Sequence, residues 1–364
     1  MLVFRNQVTE PIEYPIEQIN QKDKVLYFDI ETTGFSRSHC FIYLIGCMYY
    51  VGDTLMYTQW LAENKNDEAN VLMAFHQFMQ PFQTIIHFNG IGFDIPFVKE
   101  RGEKINLHFD FKSKKQVDLY QCVSKIAPLL SLENKKQKTL EKFLKISRMD
   151  PFNGGELIEL YQAYITSKDE KLLLPLLMHN KEDVWNMGKL TSLLSYMDFF
   201  LGKFQVSNFR NIRLSDDAVT KLSIELALKN TVPQPIQFQR DGITLLLQEN
   251  TATLMVSEIC DTLKYYFDNY KDYYYLPLED RAIHKSLAQF VDSKYRKKAT
   301  KGTCYEKFSG TFLPLYQPTD SFFRTYQKDI KEKIYYVQTT DITEATIRSY
   351  VDNILSEICQ IEPK

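Results

Sequence analysis

Residues Lys24–Gly34 read KVLYFDIETTG. Val25 to Ile30 is a short apolar run suited to a buried strand. Asp29 and Glu31 interrupt it with two carboxylates separated by one residue. Strand side chains alternate, so these two point to the same face. Two anions side by side at the end of a buried strand repel each other and resist desolvation. Thr32, Thr33 and Gly34 then let the backbone turn sharply and allow a ligand to approach. The stretch is either a solvated strand end or half of a divalent-cation site built from oxygen ligands. By itself it does not choose between them.

The chain of 364 residues is long enough for two domains. A hydrophobic fraction of 44% and a charged fraction of 25% belong to an ordinary soluble globular protein. A net charge of −2 gives no global sign of nucleic-acid binding, so any such binding requires a local patch. The six cysteines show no C-x-x-C spacing, which disfavours structural zinc or a disulfide framework and fits a reducing compartment. Charge at Arg5 and Glu10 precedes any long apolar run, and no stretch reaches the apolar length of a membrane span. The expectation is a cytoplasmic protein with no membrane partner.

Working outward, residues 1–23 read as a polar lead-in. Phe41–Tyr50, broken at Gly46, and Asp53–Leu61 would complete an antiparallel meander with the opening strand. A helix follows, capped by Asn66 or Asp67, with Val71, Leu72, Phe75, Phe78 and Met79 at helical spacing. Strands over Thr84–Phe88 and Lys115–Leu119 alternate with helices over Ile95–Glu100, Leu140–Leu144, Glu156–Tyr164 and Glu170–Leu194. Asn153-Gly154-Gly155 reads as a breaker. The pattern predicts an α/β sheet with helices on its faces over residues 24–200. Residues 201–364 change texture and predict a smaller α+β domain. It has a hairpin at 243–259, Tyr-rich strands near 264–267 and 273–276, and helices over 280–291 and 343–359.

Two further stretches carry carboxylates in unusual company. IHFNGIGFDIPFV (Ile86–Val98) delivers Asn89 and sets Asp94 among Phe93, Ile95, Pro96 and Phe97. The plain alternative for Asp94 is a helix N-cap. LMHNKEDVWNM (Leu177–Met187) puts His179 and Asp183 four apart on one helix face. Its plain alternative is a surface pair.

Taken together, D-x-E on a first strand, N-x-x-x-F-D after a later strand and H-x-x-x-D on a late helix resemble the DEDD 3′→5′ exonuclease superfamily of the ribonuclease H-like fold. The overall match is most similar to YprB-type ribonuclease H-like proteins. They share the His179-Asn180 pair and a stretch like ISRMDPFNGG (Ile146–Gly155). The resemblance covers about residues 24–195 and does not reach the C-terminal domain. Histidine-type members carry His five residues before the last Asp, where this chain has Met178; His179 stands in the tyrosine register. The two places differ by about 100° around a helix.

The resemblance implies a mixed sheet flanked by helices and two Mg²⁺ or Mn²⁺ ions held by Asp29, Glu31, Asp94 and Asp183. It further implies that His179 orients or deprotonates the attacking water, that Thr32, Thr33, Gly34 and Phe35 lie against a 3′-terminal nucleotide, and that Asn89 organises the substrate. The expected partner is DNA or RNA with a single-stranded 3′ end. The lysine-rich 112–145 segment and SKYRKKATKGTCY (residues 293–305) offer phosphate contacts, Lys297 and Lys298 foremost. Tyr295 or Tyr305 offers a stacking surface. A structure-selective endonuclease of the same fold and a non-catalytic nucleic-acid-binding protein are the other readings.

Overall fold

The computed structural model describes residues 1–213 and 219–359. They form two compact units. The first comprises Met1–Met197 with Val232–Gln234, and the second Asp198–Thr231 with the described residues from Pro235 onward.

The first unit is built on a six-stranded sheet in the order β1-β4-β3-β2-β5-β6. Its strands are β1 (Leu2–Gln7), β2 (Val25–Thr32), β3 (Ile42–Val51), β4 (Thr54–Leu61), β5 (Thr84–His87) and β6 (Lys115–Asp118). Strands β2, β3 and β4 pair antiparallel, as the short connections require, whereas β5 and β6 join parallel to β2. This is the mixed sheet flanked by helices that the ribonuclease H-like resemblance implies.

Strand parity sorts the core. Leu26, Phe28 and Ile30 face helices α1 (Glu68–Phe78) and α2 (Asp94–Glu103), packing with Phe75, Phe97 and Val98. Phe28 stacks on Phe75 with ring centroids 5.3 Å apart. The opposite parity sends Asp29 and Glu31 to the other face. There α5 (Gly154–Ser167) and α6 (Leu173–Leu190) cover the sheet through Tyr161, Tyr164 and Leu176. Along α6 the buried positions include Leu176, His179, Asn180, Val184 and Met187, the spacing of one helix stripe. The polar members of that stripe therefore meet the carboxylate-bearing face of β2.

Several expectations are corrected. Leu2–Gln7 is not a lead-in but the edge strand β1, paired with β4. Gly46 does not break β3; the strand runs through it, with Gly46 directly opposite Asp29. A Cβ there would stand 2.0 Å from Asn180 Oδ1, so the missing side chain makes room for an α6 amide beside Asp29. Asn64, not Asn66 or Asp67, supplies the side-chain cap before α1. Asn153 caps α5 in a capping box with Glu156, and Gly154 and Gly155 form its first turn rather than a break. Helix α3 (Leu119–Leu130), with Pro128 inside it, is not among the expected elements, and α4 (Gln137–Phe143) follows it.

The second unit carries a five-stranded antiparallel sheet, β7-β8-β11-β10-β9. Its strands are β7 (Phe204–Arg213), β8 (Thr220–Leu228), β9 (Ile236–Arg240), β10 (Ile243–Gln248) and β11 (Thr251–Ser257). Two three-stranded sheets and a helix over Ile347–Cys359 accompany it. The expected helix over 280–291 is instead a strand, Arg281–His284, followed by one short turn of helix, Lys285–Ala288. No helix among the described residues is long and apolar enough to cross a membrane.

Gly46→Ala is expected to force Asn180 away from Asp29 and to destabilise the first unit by about 1–3 kcal/mol, as overpacking of a filled interior does. Denaturant unfolding checks this. An unchanged midpoint would mean that Asn180 yields without loss.

Candidate active site

The four carboxylates reach the site by three local devices. Asp29 and Glu31 sit at the end of β2 on the face covered by α6. The turn after β5 is fixed by Asp118, whose carboxylate accepts from the N–H groups of Asn89 (2.9 Å) and Ile91 (3.4 Å) and caps α3 through Tyr120 N–H (3.0 Å). Asn89 takes a left-handed conformation, φ 59°. This turn aims the first residue of α2 back at the sheet. Asp94 is the first residue of α2 and not its N-cap; its Oδ1 accepts from Ile30 N–H at 3.2 Å. Asp183 comes from the polar part of the α6 stripe.

Asp29, Glu31, Asp94 and Asp183 line one cavity of about 890 Å³. Phe35, Phe88, Asn89, Phe93, Tyr120, Lys135 and Lys136 line it with them. Phe35 is 87% exposed, its ring 6.3 Å from that of Phe93. The hydroxyls of Thr32 and Thr33 bond within the turn. The Thr32 hydroxyl donates to Gly34 C=O at 2.8 Å, and Thr33 Oγ1 accepts from Phe41 N–H at 3.1 Å. Gly34 holds φ 150°, a conformation that favours glycine, with Cys40 Sγ 2.8 Å from where a Cβ would be. Lys297 and Lys298 belong to the second unit, exposed on a two-residue strand paired with Tyr274 and Tyr275. Tyr295 is half exposed, whereas Tyr305 is buried with its hydroxyl donating to Asp280 and is not a stacking surface.

Cations and amides border the carboxylates; of these the sequence singles out His179 but gives no role to Asn180, Arg148 or Asp150. Asn180 donates to Asp29 Oδ2 at 3.0 Å. Arg148 pairs with Asp183 (2.6 Å), Glu141 (3.2 Å) and Asp150 (3.3 Å). His179 places Nε2 3.2 Å from Asp183 and 3.9 Å from Glu31, and its Nδ1 meets Asp150 at 2.6 Å. The only sequence signal for Arg148 and Asp150 was the ISRMDPFNGG stretch in which both stand.

The charges do not balance. Burial, reinforced by Asp94, Asp183 and Glu31, holds the Asp29 carboxyl well above the usual range. Burial raises Glu31 to about 8, with Asp183 and Asp94 adding to it and His179 and Arg148 opposing. Burial raises Asp94 to about 7 against the pull of the Ile30 N–H. Burial pushes Asp183 up too, but His179 and Arg148 outweigh it and the net shift is downward. Burial disfavours the His179 imidazolium, yet Asp183, Glu31 and Asp150 raise it to about 9. The donor set is hard oxygen with excess negative charge, which fits Mg²⁺ or Mn²⁺. Glu31, His179 and Asp183 offer ligand atoms all within 4.8 Å of one another.

Residues 26–195 match the RNase_H_2 family model of the RNase_H superfamily, in accord with the ribonuclease H-like fold of the first unit. No curated protein matches the sequence. Among solved structures, the family B DNA polymerase of the archaeon Pyrobaculum calidifontis is 18% identical over 49% of this chain and 24% of its own, TM-score 0.38. Zinc-bound Escherichia coli ExoI in complex with ssDNA is 12% identical over 57% of this chain and 55% of its own, TM-score 0.30. The chain thus spans about a quarter of the polymerase and somewhat over half of the exonuclease.

A carboxyl with a higher pKa folded than unfolded binds its proton more tightly when folded, so its contribution to stability is lost as pH rises through the folded value. For Glu31 that window runs from 4.5 to about 8 and for Asp94 from 3.8 to about 7. His179, raised from 6.5 to about 9, loses its contribution over an overlapping window. The metal-free protein should therefore melt at a lower temperature at about pH 8.5 than at about pH 6. Saturating Mg²⁺ or Mn²⁺ should raise Tm more at the higher pH, because the cation and the protons compete for the same oxygens. Calorimetry at several pH values decides; a metal-free Tm that rises with pH would contradict this charge balance.

Proposed function

We propose that the first unit is a metal-dependent 3′→5′ exonuclease that hydrolyses phosphodiester bonds of DNA or RNA. The observation that carries the reading is the convergence of Asp29, Glu31, Asp94 and Asp183 on one cavity with more negative charge than its own cations balance. A site retired from catalysis has no need to hold three carboxyls above their ordinary pKa at a cost in stability. Such a set holds divalent cations, which supply charge neutralisation at the phosphate and lower the pKa of water.

The chain's own groups do the rest. Asn180 fixes one oxygen of Asp29 and leaves the other free to ligate. Ile30 N–H does the same for Asp94. His179, once Glu31 and Asp183 are neutralised, loses the larger causes of its raised pKa, with Asp150 remaining, and can take a proton from the attacking water at Nε2. The water oxygen bonds to phosphorus, the bond from phosphorus to the 3′-oxygen of the preceding nucleotide breaks, and that oxygen takes up a proton from solvent. A nucleoside 5′-monophosphate is released and the shortened strand keeps a 3′-hydroxyl. Phe35 and Phe93 on one wall, and Tyr120 with Lys135 5.0 Å above its ring on another, suit unpaired bases and the phosphates between them. In this proposal Asn89 borders the terminal nucleotide and Thr32, Thr33 and Gly34 shape the turn that carries Phe35; Lys297 and Lys298, exposed in the second unit, are phosphate-binding candidates of that unit by itself.

End-labelled single- and double-stranded DNA and RNA, incubated with Mg²⁺ or Mn²⁺, should give ladders shortening from the 3′ end, abolished by EDTA. Asp29→Ala and Asp183→Ala should each lower the rate at least about a hundredfold, since even groups supporting a metal ligand are worth 10–100-fold. Internal cuts would favour an endonuclease, and retarded but uncut substrate under every metal a binding protein. Phe35→Ala should raise KM by roughly 5- to 150-fold, the equivalent of about 1–3 kcal/mol of stacking, with kcat changed far less. An unchanged KM would remove Phe35 from the substrate path.

A further inference from the structure

His179 lies four residues before Asp183, a place from which helix geometry alone does not guarantee a useful direction for the ring. A second contact settles that direction. Nδ1 of His179 lies 2.6 Å from Oδ2 of Asp150, a carboxylate with only 1% of its side chain exposed. With Nδ1 bonded there, Nε2 faces Asp183 and Glu31.

Asp150 is itself held from every side. Its Oδ1 accepts from Phe152 N–H at 3.1 Å. Its Oδ2 lies 3.3 Å from Arg148 Nη2 and 3.5 Å from Lys138 Nζ. The backbone carrying it is tied to α6, because Glu182 accepts from the N–H groups of both Met149 and Asp150 at 2.9 Å. Glu182 and His179 are on the same helix, so the segment bearing the carboxylate and the ring it meets are located by one element. A solvated surface pair has none of this support.

We infer that Asp150 is a positioning residue for His179. By accepting the Nδ1–H bond it fixes the direction of the ring and, when the imidazole is neutral, the tautomer whose Nε2 lone pair faces Asp183 and Glu31. That accounts for the Arg148-Met149-Asp150 segment, which supplies none of the four cavity carboxylates. The inference rests on the exonuclease reading for its consequence in turnover, but not for the orientation of the ring.

The full-length protein labelled with ¹⁵N-histidine tests both parts, with His179→Ala assigning the resonance among the six histidines. In the wild type, with and without Mg²⁺, His179 should show a protonated, strongly hydrogen-bonded Nδ1. In Asp150→Asn that signal should be lost or moved to the other tautomer. On an end-labelled oligonucleotide, Asp150→Asn should lower kcat by about 10²–10⁴, the range of a general base, with KM nearly unchanged. In a His179→Ala background the same substitution should have no further effect, because the two residues act as one unit. Asp150→Ser is the second variant should the Asn variant fail to fold. An unaltered Nδ1 signal in the variants, or an equal loss of rate in both backgrounds, would overturn the inference. A wild type that cleaves nothing while its His179 signal still depends on Asp150 would overturn the exonuclease reading and leave the hold on the ring standing.

Discussion

The mutual repulsion of half-buried carboxylates at the end of β2 is the constraint around which the first unit is arranged. Isolated anions do not stay charged in an apolar interior; they shed charge or find partners. Here both happen. Asp29, Glu31 and Asp94 hold protons to higher pH than usual, while Asp183 is kept ionised by His179 and Arg148. Neighbouring features serve this arrangement. Gly46 gives up its side chain so that Asn180 reaches Asp29, and Gln59 and Tyr57 hold the same amide oxygen at 3.0 and 3.3 Å. An amide satisfied on both ends is a fixed donor, and a fixed donor costs no reorganisation when charge arrives.

Strand parity explains how a largely apolar strand carries a polar site without losing its core. Leu26, Phe28 and Ile30 satisfy the face under α1 and α2, so the alternate positions are free to be polar toward the end of the strand. On the opposite face α6 changes character along one stripe, from Leu176 through His179, Asn180 and Asp183 to Met187. The apolar ends of the stripe anchor the helix to the sheet and the polar middle meets the carboxylates.

What the sequence made legible follows the same logic. Periodicity along one segment reveals which face is buried, so the order of strands and helices in residues 24–195 is legible apart from α3, as are the three motifs whose carboxylates share the cavity. Contacts between distant segments leave no such trace. His179 and Asp150 are 29 residues apart, and Asn180 and Asp29 are 151 apart. No spacing rule connects them, and Arg148 and Asp150 surfaced only as part of a stretch with a family likeness. Edge strand β1 was hidden because LVFRNQ is too polar for a core strand, which an edge tolerates. In the second unit the run 280–291 has enough apolar residues for a helix, yet its first part pairs with Tyr273–Leu276, where tertiary context overrides propensity.

The partners of the carboxylates also give the site a direction. Arg148 and His179 reach Asp183 and Asp150 on one side, and Asp183 alone of the four cavity carboxyls falls below its ordinary range. Asp29 and Asp94 have only neutral donors, an amide and a backbone N–H, and their carboxyls rise. A neutral donor orients an anion without cancelling its charge. The uncompensated charge is therefore concentrated where β2 meets the start of α2, and an incoming cation gains most by displacing protons there. In the proposed reaction the same polarity would separate the groups that hold a cation from the group that moves a proton. Asp29 and Asp94 lie at the uncompensated end, and His179 lies at the compensated end, braced by Asp150. A symmetric cage of four bare carboxylates would bind cations without distinguishing those two tasks; the asymmetry introduced by Arg148, Asp150 and Asn180 allows both within one cavity.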